Sequence, residues 1–411
     1  MYVRRRAESI LGKLLNSGKV VMVLGARQVG KTTLVKRILA EQDSVFLNLD
    51  LEIDQQRFLT ASALPPNEAL KTLGVREFLV IDEAQRVPDT GRIVKGWYDA
   101  DVHAKIILLG SSSLNLLDKA AESLTGRNVK LFLTPLLFSE VVQNQSWAAQ
   151  NLKLSQIEEN FPAQLRALLL RSVVYGNYPE AVTTVSPSDY LLNLSSDYLL
   201  KDVYSLGTAK TPEVIKKLLL LLAHQVGSEV SVNELANNLG IARVTVEKYL
   251  DLLEQTYVIF RLPAFSTNPR KEIVKSKKVY FWDTGVRNAL LNEFSENPLR
   301  SDIGPLWENW VVAEIAKNNL QFGGMAQLYF WRLRGGSEVD LVVKEGEKIA
   351  AFEIKWSGEK AASRAFTKRY KLPVTVINST RALTSVALLD GKITSIQLSE
   401  PSQPEQKTPL D

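Results

Sequence analysis

The segment Gly25-Ala-Arg-Gln-Val-Gly30-Lys31-Thr32 carries the most explicit chemistry in the chain. Its spacing is G-x-x-x-x-G-K-[ST], a loop whose glycines let successive backbone N–H groups wrap an anion. A helix opening near Gly30 would direct its positive N-terminal end at the same anion. Lys31 would then reach the β- and γ-phosphates of a nucleotide, and the Thr32 hydroxyl would ligate Mg²⁺. Gly25, Arg27, Gln28, Val29, Gly30 and Thr33 would complete the cradle, with ATP as the expected ligand. The run Phe78-Leu-Val-Ile-Asp82-Glu83 supplies the complement. Asp82 would hold the Mg²⁺ and Glu83 would polarise the attacking water.

Two further positions in this half stay open between chemistry and structure. Gly110-Ser-Ser-Ser113 follows an apolar run, so Ser111 or Ser112 either senses the γ-phosphate or belongs to a plain Gly/Ser turn. Arg127, in Leu124-Thr-Gly-Arg127, is either a finger for a neighbouring subunit's site or a surface arginine with a local partner.

A second constellation lies near the C-terminus. Glu338-Val-Asp340-Leu-Val-Val343 and Ala350-Ala-Phe-Glu353-Ile-Lys355 read as two strands joined by a short turn, spaced D-x₁₂-E-x-K. Strand alternation puts Glu353 and Lys355 on one face. Asp340 and Glu353 would share a divalent cation, while Lys355 would orient water or stabilise transition-state charge. Upstream, Gly304-Pro-Leu-Trp-Glu308 opens a helix and makes Glu308 the accompanying carboxylate. Together these resemble the PD-(D/E)XK nuclease fold in its resolvase-like version. Such a site either cuts DNA or binds a metal without cutting.

Between the two lies Ser231-Val-Asn-Glu-Leu-Ala-Asn-Asn-Leu-Gly240 followed by Ile241-Ala-Arg-Val-Thr-Val-Glu-Lys-Tyr-Leu250, a helix, a glycine turn and a second helix. In a DNA-binding winged helix, Arg243, Thr245 and Lys248 would face the major groove. Arg270, Lys271, Lys275, Lys277 and Lys278 would form a basic wing on the phosphates. The alternative is a winged helix used for protein contact. His103 and His224, the two histidines, stand too far apart in sequence to suggest a shared site.

These residues need particular elements beneath them. Apolar runs at 20–24, 45–49, 78–81, 105–109 and 129–133 alternate with helical periods, which predicts a parallel sheet covered on both faces. The organisation expected is an α/β P-loop ATPase core over 1–145, a helical lid over 146–211 and a winged helix-turn-helix over 212–285. A nuclease-like α/β domain over 286–398 and a tail over 399–411 complete it. With 45% apolar and 23% charged residues the chain is ordinary globular protein. A net charge of +5 permits nucleic-acid binding without requiring it. The absence of cysteine excludes disulfides and thiolate metal sites and fits a cytoplasmic protein. No apolar run approaches the ~20 residues of a membrane span, and no secretory signal is visible.

Taken in order, these segments resemble the prokaryotic AAA+-like ATPases that carry a C-terminal DUF4143 domain. The resemblance rests on the basic N-terminus, Gly25–Thr33, Phe46-Leu-Asn-Leu-Asp50 and Ile81-Asp-Glu-Ala-Gln85. It continues through Leu109–Ser113, Thr125–Arg127, Leu133-Thr-Pro-Leu-Leu-Phe-Ser-Glu140 and Tyr175-Gly-Asn-Tyr-Pro-Glu180. Phe281-Trp-Asp-Thr-Gly285, Trp307-Glu-Asn309 and Ser337-Glu-Val-Asp340 extend it to about residue 395. Departures are Asn177, where a second glycine is usual, and the tryptophans at 282 and 307. The resemblance implies an AAA+-like homo-oligomer, with a ring as one form. The leading expectation is an ATP-dependent DNA-processing enzyme. A nucleotide-dependent switch and a DNA-binding regulator are the rivals.

Overall fold

The computed structural model describes residues 2–110, 124–148, 152–198, 212–266, 277–333, 336–358 and 363–387. Strands β1 (Val20–Leu24), β2 (Ser44–Asn48), β3 (Phe78–Asp82), β4 (Lys105–Gly110) and β5 (Asn128–Phe132) form the first sheet. All are parallel, in the order β2-β3-β4-β1-β5, as the alternating pattern predicts. Strand alternation sends Val21 and Val23 of β1 to one face, with α1 (Ala7–Leu14) and α2 (Lys31–Ile38). Val20, Met22 and Leu24 go to the other, against α3 (Glu52–Ser62), α4 (Pro66–Leu73) and α5 (Thr90–Asp99). With both faces covered, every residue of β1 is buried.

A helical segment follows: α6 (Phe138–Gln143), α7 (Leu154–Asn160), α8 (Pro162–Tyr175), α9 (Pro179–Thr183) and α10 (Pro187–Asn193). Next come α11 (Pro212–His224), α12 (Val232–Leu239) and α13 (Arg243–Gln255). Ser231 caps α12 through its side chain, and Gly240 ends it in the left-handed conformation, so the helix–turn–helix has its punctuation in the sequence. Strands β6 (Glu229–Val230), β7 (Ile259–Leu262) and β8 (Lys277–Phe281) make an antiparallel sheet in the order β6-β8-β7. Leu218, Leu222, Val246, Leu250 and Phe281 of this middle unit join Val21, Val23 and Leu34 in one apolar cluster.

The last sheet, β12-β11-β10-β9, contains β9 (Gln327–Arg332), β10 (Glu338–Glu345), β11 (Lys348–Lys355) and β12 (Val374–Asn378). β9, β10 and β11 are antiparallel neighbours, and β12 is parallel to β11. Ahead of them come α14 (Thr284–Leu291) and α15 (Ile303–Gln321); α16 (Arg364–Tyr370) and α17 (Ala382–Ala387) flank β12. Leu306, Trp307, Trp310, Val311 and Ile315 of α15 pack with β10 and β11, and also with Leu165 and Leu169 of α8. Helix α14 packs on α8, α10 and α11, because Gly285 brings its backbone against the Tyr175 carbonyl.

Candidate functional site

β1 stops at Leu24 and the chain turns sharply through Gly25, whose φ is +154°. A Cβ there would lie 2.0 Å from the Leu133 carbonyl oxygen, so only glycine fits. Gly30, at φ +90°, hands the loop into α2. Gln28 and Glu83 are non-glycine residues in the left-handed region, at +60° and +51°. Strain of that kind gathers at ligand sites.

The loop floors a pocket of about 640 Å³, lined by Arg27, Gln28, Val29, Gly30, Lys31, Thr32, Thr33 and Glu83. That volume suits a nucleotide-sized ligand. The Thr32 hydroxyl donates to Asp82 Oδ2 at 2.6 Å, bringing the two expected Mg²⁺ ligands together from α2 and β3. Hydroxyl and carboxylate oxygens at one point are a donor set that Mg²⁺ accepts, so these residues fit the ion. Lys31 Nζ donates to the carbonyls of Gly25 and Ala26, at 3.0 and 2.8 Å. Glu83 meets Arg27 at 4.0 Å and accepts from Gln85. Arg27 also lies 3.9 Å from Asp50, which Arg86 engages from the other side. Asp50 had appeared only within a family segment. Its placement one residue beyond Leu49, whose N–H bonds Asp82 O, makes it a neighbour of the site.

The roof comes from elsewhere in the chain. Pro179, Glu180 and Thr183 line the pocket from α9, and Tyr190 of α10 donates to Gln28 Oε1 at 2.8 Å. Tyr2, Val3 and Arg5 close another wall. Arg5 was missed by sequence reasoning. In Arg4-Arg5-Arg6 only Arg5 is buried, and no local pattern marks it out.

Arg127 sits elsewhere. It precedes β5, at the amino edge of the sheet, opposite to the P-loop edge, and its guanidinium pairs with Asp99 at 2.5 Å. It does not line the P-loop pocket. Ser111 lies outside the described residues.

At the C-terminal site, Leu341 pairs with Phe352, so Asp340 stands one step outward, beside Glu353. Asp340 Oδ2 accepts from the Ile354 N–H at 2.7 Å. Glu353 pairs with Lys355 at 2.9 Å, which agrees with their sharing a face. A bulge in β10 between Val339 and Val342 interrupts its pairing at Asp340. Burial, then Glu308, push the Asp340 carboxyl up to about 7, against the Ile354 N–H and Lys278, which pull it down. Among the described residues, no group of three His, Asp or Glu side chains converges as a metal site would need.

Lys278 departs from its expected place on an exposed wing. Expected as a wing cation for DNA, it is 2% exposed. Its ammonium reaches Glu308 at 2.9 Å and Glu338 at 2.5 Å, over the Phe330 ring. Tyr280 donates to the same Glu308 oxygen at 2.6 Å. Lys277, at the start of β8, is exposed, whereas Lys278 and the residues after it in the strand are buried. Arg243 and Lys248 are exposed and Thr245 half-buried on α13, with Arg243 paired to Glu247. Arg270, Lys271 and Lys275 lie outside the described residues.

A buried polar network ties the units together. Gly176, at φ +66°, leaves room for Asp283, whose Oδ1 would be 1.8 Å from any Cβ there. Asp283 accepts from the Asn177 N–H at 2.7 Å, and Asn177 Nδ2 donates to Glu314 at 3.3 Å. Glu314 also takes the Phe138 N–H and the Lys317 ammonium, each at 2.8 Å. The Tyr175–Glu180 segment thus links the pocket roof, the middle unit and α15.

Comparison with known proteins agrees with the pocket. A family described as an AAA domain matches residues 17–142. Domains of unknown function match residues 166–297 (DUF8612) and 303–388 (DUF4143). The chain is similar to an uncharacterized protein of Mycobacterium tuberculosis, with 28% identity over 88% of this chain and 76% of the relative. An uncharacterized protein of Methanocaldococcus jannaschii is 26% identical over 86% of this chain and 79% of its own length. Among solved structures it is similar to a Walker-type ATPase of Pyrococcus abyssi, with a TM-score of 0.45 and 17% identity over 71% of this chain and 96% of that one. The Aeropyrum pernix ORC1 protein in complex with DNA gives a TM-score of 0.32 and 15% identity over 71% and 93%. The family matches and the pocket together define a P-loop ATPase domain followed by a DUF4143 domain.

Proposed function

We propose that this chain hydrolyses ATP and uses the cycle to act on DNA. The observation that carries the hydrolytic part is the meeting of Thr32 and Asp82 beneath the P-loop, with Glu83 immediately beyond. Lys31 and the loop amides bind the phosphates, and Mg²⁺, held by Thr32 and Asp82, supplies charge neutralisation when bound. Glu83 orients and deprotonates water once it is free of Arg27 and Gln85.

The DNA part is supported by α12 and α13 with their capped turn, read as a winged helix. Its exposed cations are Arg243, Lys248 and Lys277. It is also supported by the C-terminal unit, where a helix precedes a mixed sheet bearing Asp340, Glu353 and Lys355, read as a PD-(D/E)XK-like fold. These cations confer phosphate affinity with little base readout. Homo-oligomeric assembly, as a ring, belongs to the proposal. In it Arg127 leaves Asp99 and reaches a neighbour's site.

The test is the ATP turnover rate with branched, linear and single-stranded DNA at constant salt. Stimulation that weakens as salt rises is the expected result. An unchanged rate with every DNA sinks the DNA part. One observation favours a second reading, a nucleotide-dependent switch without cutting: Lys278 shuts the acidic face against β8. Absence of Mg²⁺- or Mn²⁺-dependent cleavage by the wild type, with turnover indifferent to DNA, decides for it.

A further inference from the structure

We infer that Arg5 is a positioning residue of the nucleotide site, aiming a P-loop amide at the phosphates from outside the loop. The inference rests on the ATP-binding reading above. Arg5 is 4% exposed. Its guanidinium donates to the Val29 carbonyl at 2.7 Å through one terminal nitrogen. Through the other it donates to the Thr134 carbonyl at 2.7 Å, and more weakly to that of Pro135. Val29 is the loop residue immediately before Gly30 and Lys31.

The geometry follows from the peptide bond. In a trans peptide the carbonyl of one residue and the N–H of the next point in opposite directions. Among the described residues no peptide bond is cis. Drawing the Val29 carbonyl toward Arg5 therefore turns the Gly30 N–H away from Arg5, toward the side where a β-phosphate sits on the loop. Gly30, at φ +90°, has the freedom to turn wrongly, so an external restraint on the preceding carbonyl has an effect. The fork shape of arginine matters here. One planar group spans two carbonyls from β1's loop and β5's exit, which a single ammonium does not.

Glu140 borders this restraint without hydrogen-bonding to the guanidinium. Glu140 lies 3.7 Å from Arg5 Nε and accepts from the Arg6 and Leu137 N–H groups. Thr134 Oγ1 accepts from Gln321 Nε2 of α15 at 2.6 Å. The strap that holds Arg5 is therefore bolted to the DUF4143 domain, and the loop's aim depends on that helix as well.

Binding of ADP and AMP to Arg5→Met, Arg5→Lys and Glu140→Gln, alongside thermal melting, tests this. ADP carries a β-phosphate for the Gly30 amide and AMP does not. Arg5→Met should weaken ADP by about tenfold, the value of one aimed hydrogen bond to a charged group, and narrow the ADP-over-AMP preference. Arg5→Lys should recover part of that loss. Glu140→Gln should lower the melting temperature yet leave ADP affinity within about twofold of wild type. If Glu140→Gln loses as much as the Arg5 variants, Arg5 is only packing. Should Arg5→Met not fold, Arg5→Lys carries the comparison, and an unchanged ADP-over-AMP preference in it overturns the inference. Wild type that binds no ADP overturns the nucleotide reading itself, and with it this one.

Discussion

At the scale of single residues, the site combines groups whose roles differ in how far they reach. In the proposed reaction Lys31 meets phosphate directly, so Lys31→Ala should cut ATP turnover by about a hundredfold or more, read as steady-state phosphate release. Its melting temperature should hardly move, because its bonds to Gly25 and Ala26 are local. Gly176 acts only through space it leaves empty. Gly176→Ala would put a methyl 1.8 Å from Asp283 Oδ1 at a φ of +66°, so it should destabilise the fold by roughly 3 kcal/mol. Chemical denaturation checks that value; a variant as stable as wild type would mean that Asp283 shifts freely.

Elements explain why charged residues lie where they do. At the start of β8 Lys277 meets water, while the next residue, Lys278, meets Glu308 and Glu338. Lys278→Met leaves Glu308 with the Tyr280 hydroxyl alone and Glu338 with only the more distant Arg332, and should cost about 3–5 kcal/mol, with faster hydrogen exchange in β8 and the start of α15. At the entrance to α15, Asp302 bonds Arg287 of α14 and also Arg300. Burial alone would raise its carboxyl, but the Arg300 and Arg287 bonds outweigh that and hold it below its ordinary value. A lowered folded value means stability present above the usual carboxylate range and lost as pH falls through the lowered one. Asp302→Asn should therefore cost about 1 kcal/mol near pH 7, a loss that shrinks in acid, as urea midpoints at neutral and acidic pH would record.

The whole molecule is held by cores that ignore the sequence's own divisions. One apolar cluster runs from α1, α2 and β1 through α11, α13 and β8, and another joins α8 to α15 and the last sheet. Units that share a core do not melt apart, so calorimetry should show one transition for the described body. A resolved early transition for the C-terminal unit would contradict that. The Thr134–Gln321 and Phe138–Glu314 bonds carry the same continuity into the nucleotide site.

Local pattern was enough for much of this. Gly25–Thr32, the apolar run before Asp82, the capped turn at Ser231 and Gly240, and the alternation of β10 and β11 each depend on neighbours in sequence. Their chemistry is therefore written in spacing. The parallel sheet and the P-loop pocket follow from those patterns almost without remainder. Lys278 and Arg5 do not. One looks like any wing lysine and the other like any member of a basic N-terminus, since burial of a charge is decided by partners such as Glu308, Glu338, Val29 and Thr134. Those partners lie between 24 and 129 residues away from Arg5 and at least 30 from Lys278. The P-loop was legible because a phosphate cradle is built from consecutive backbone amides, whereas the groups that brace and roof it come together only when distant segments pack against it.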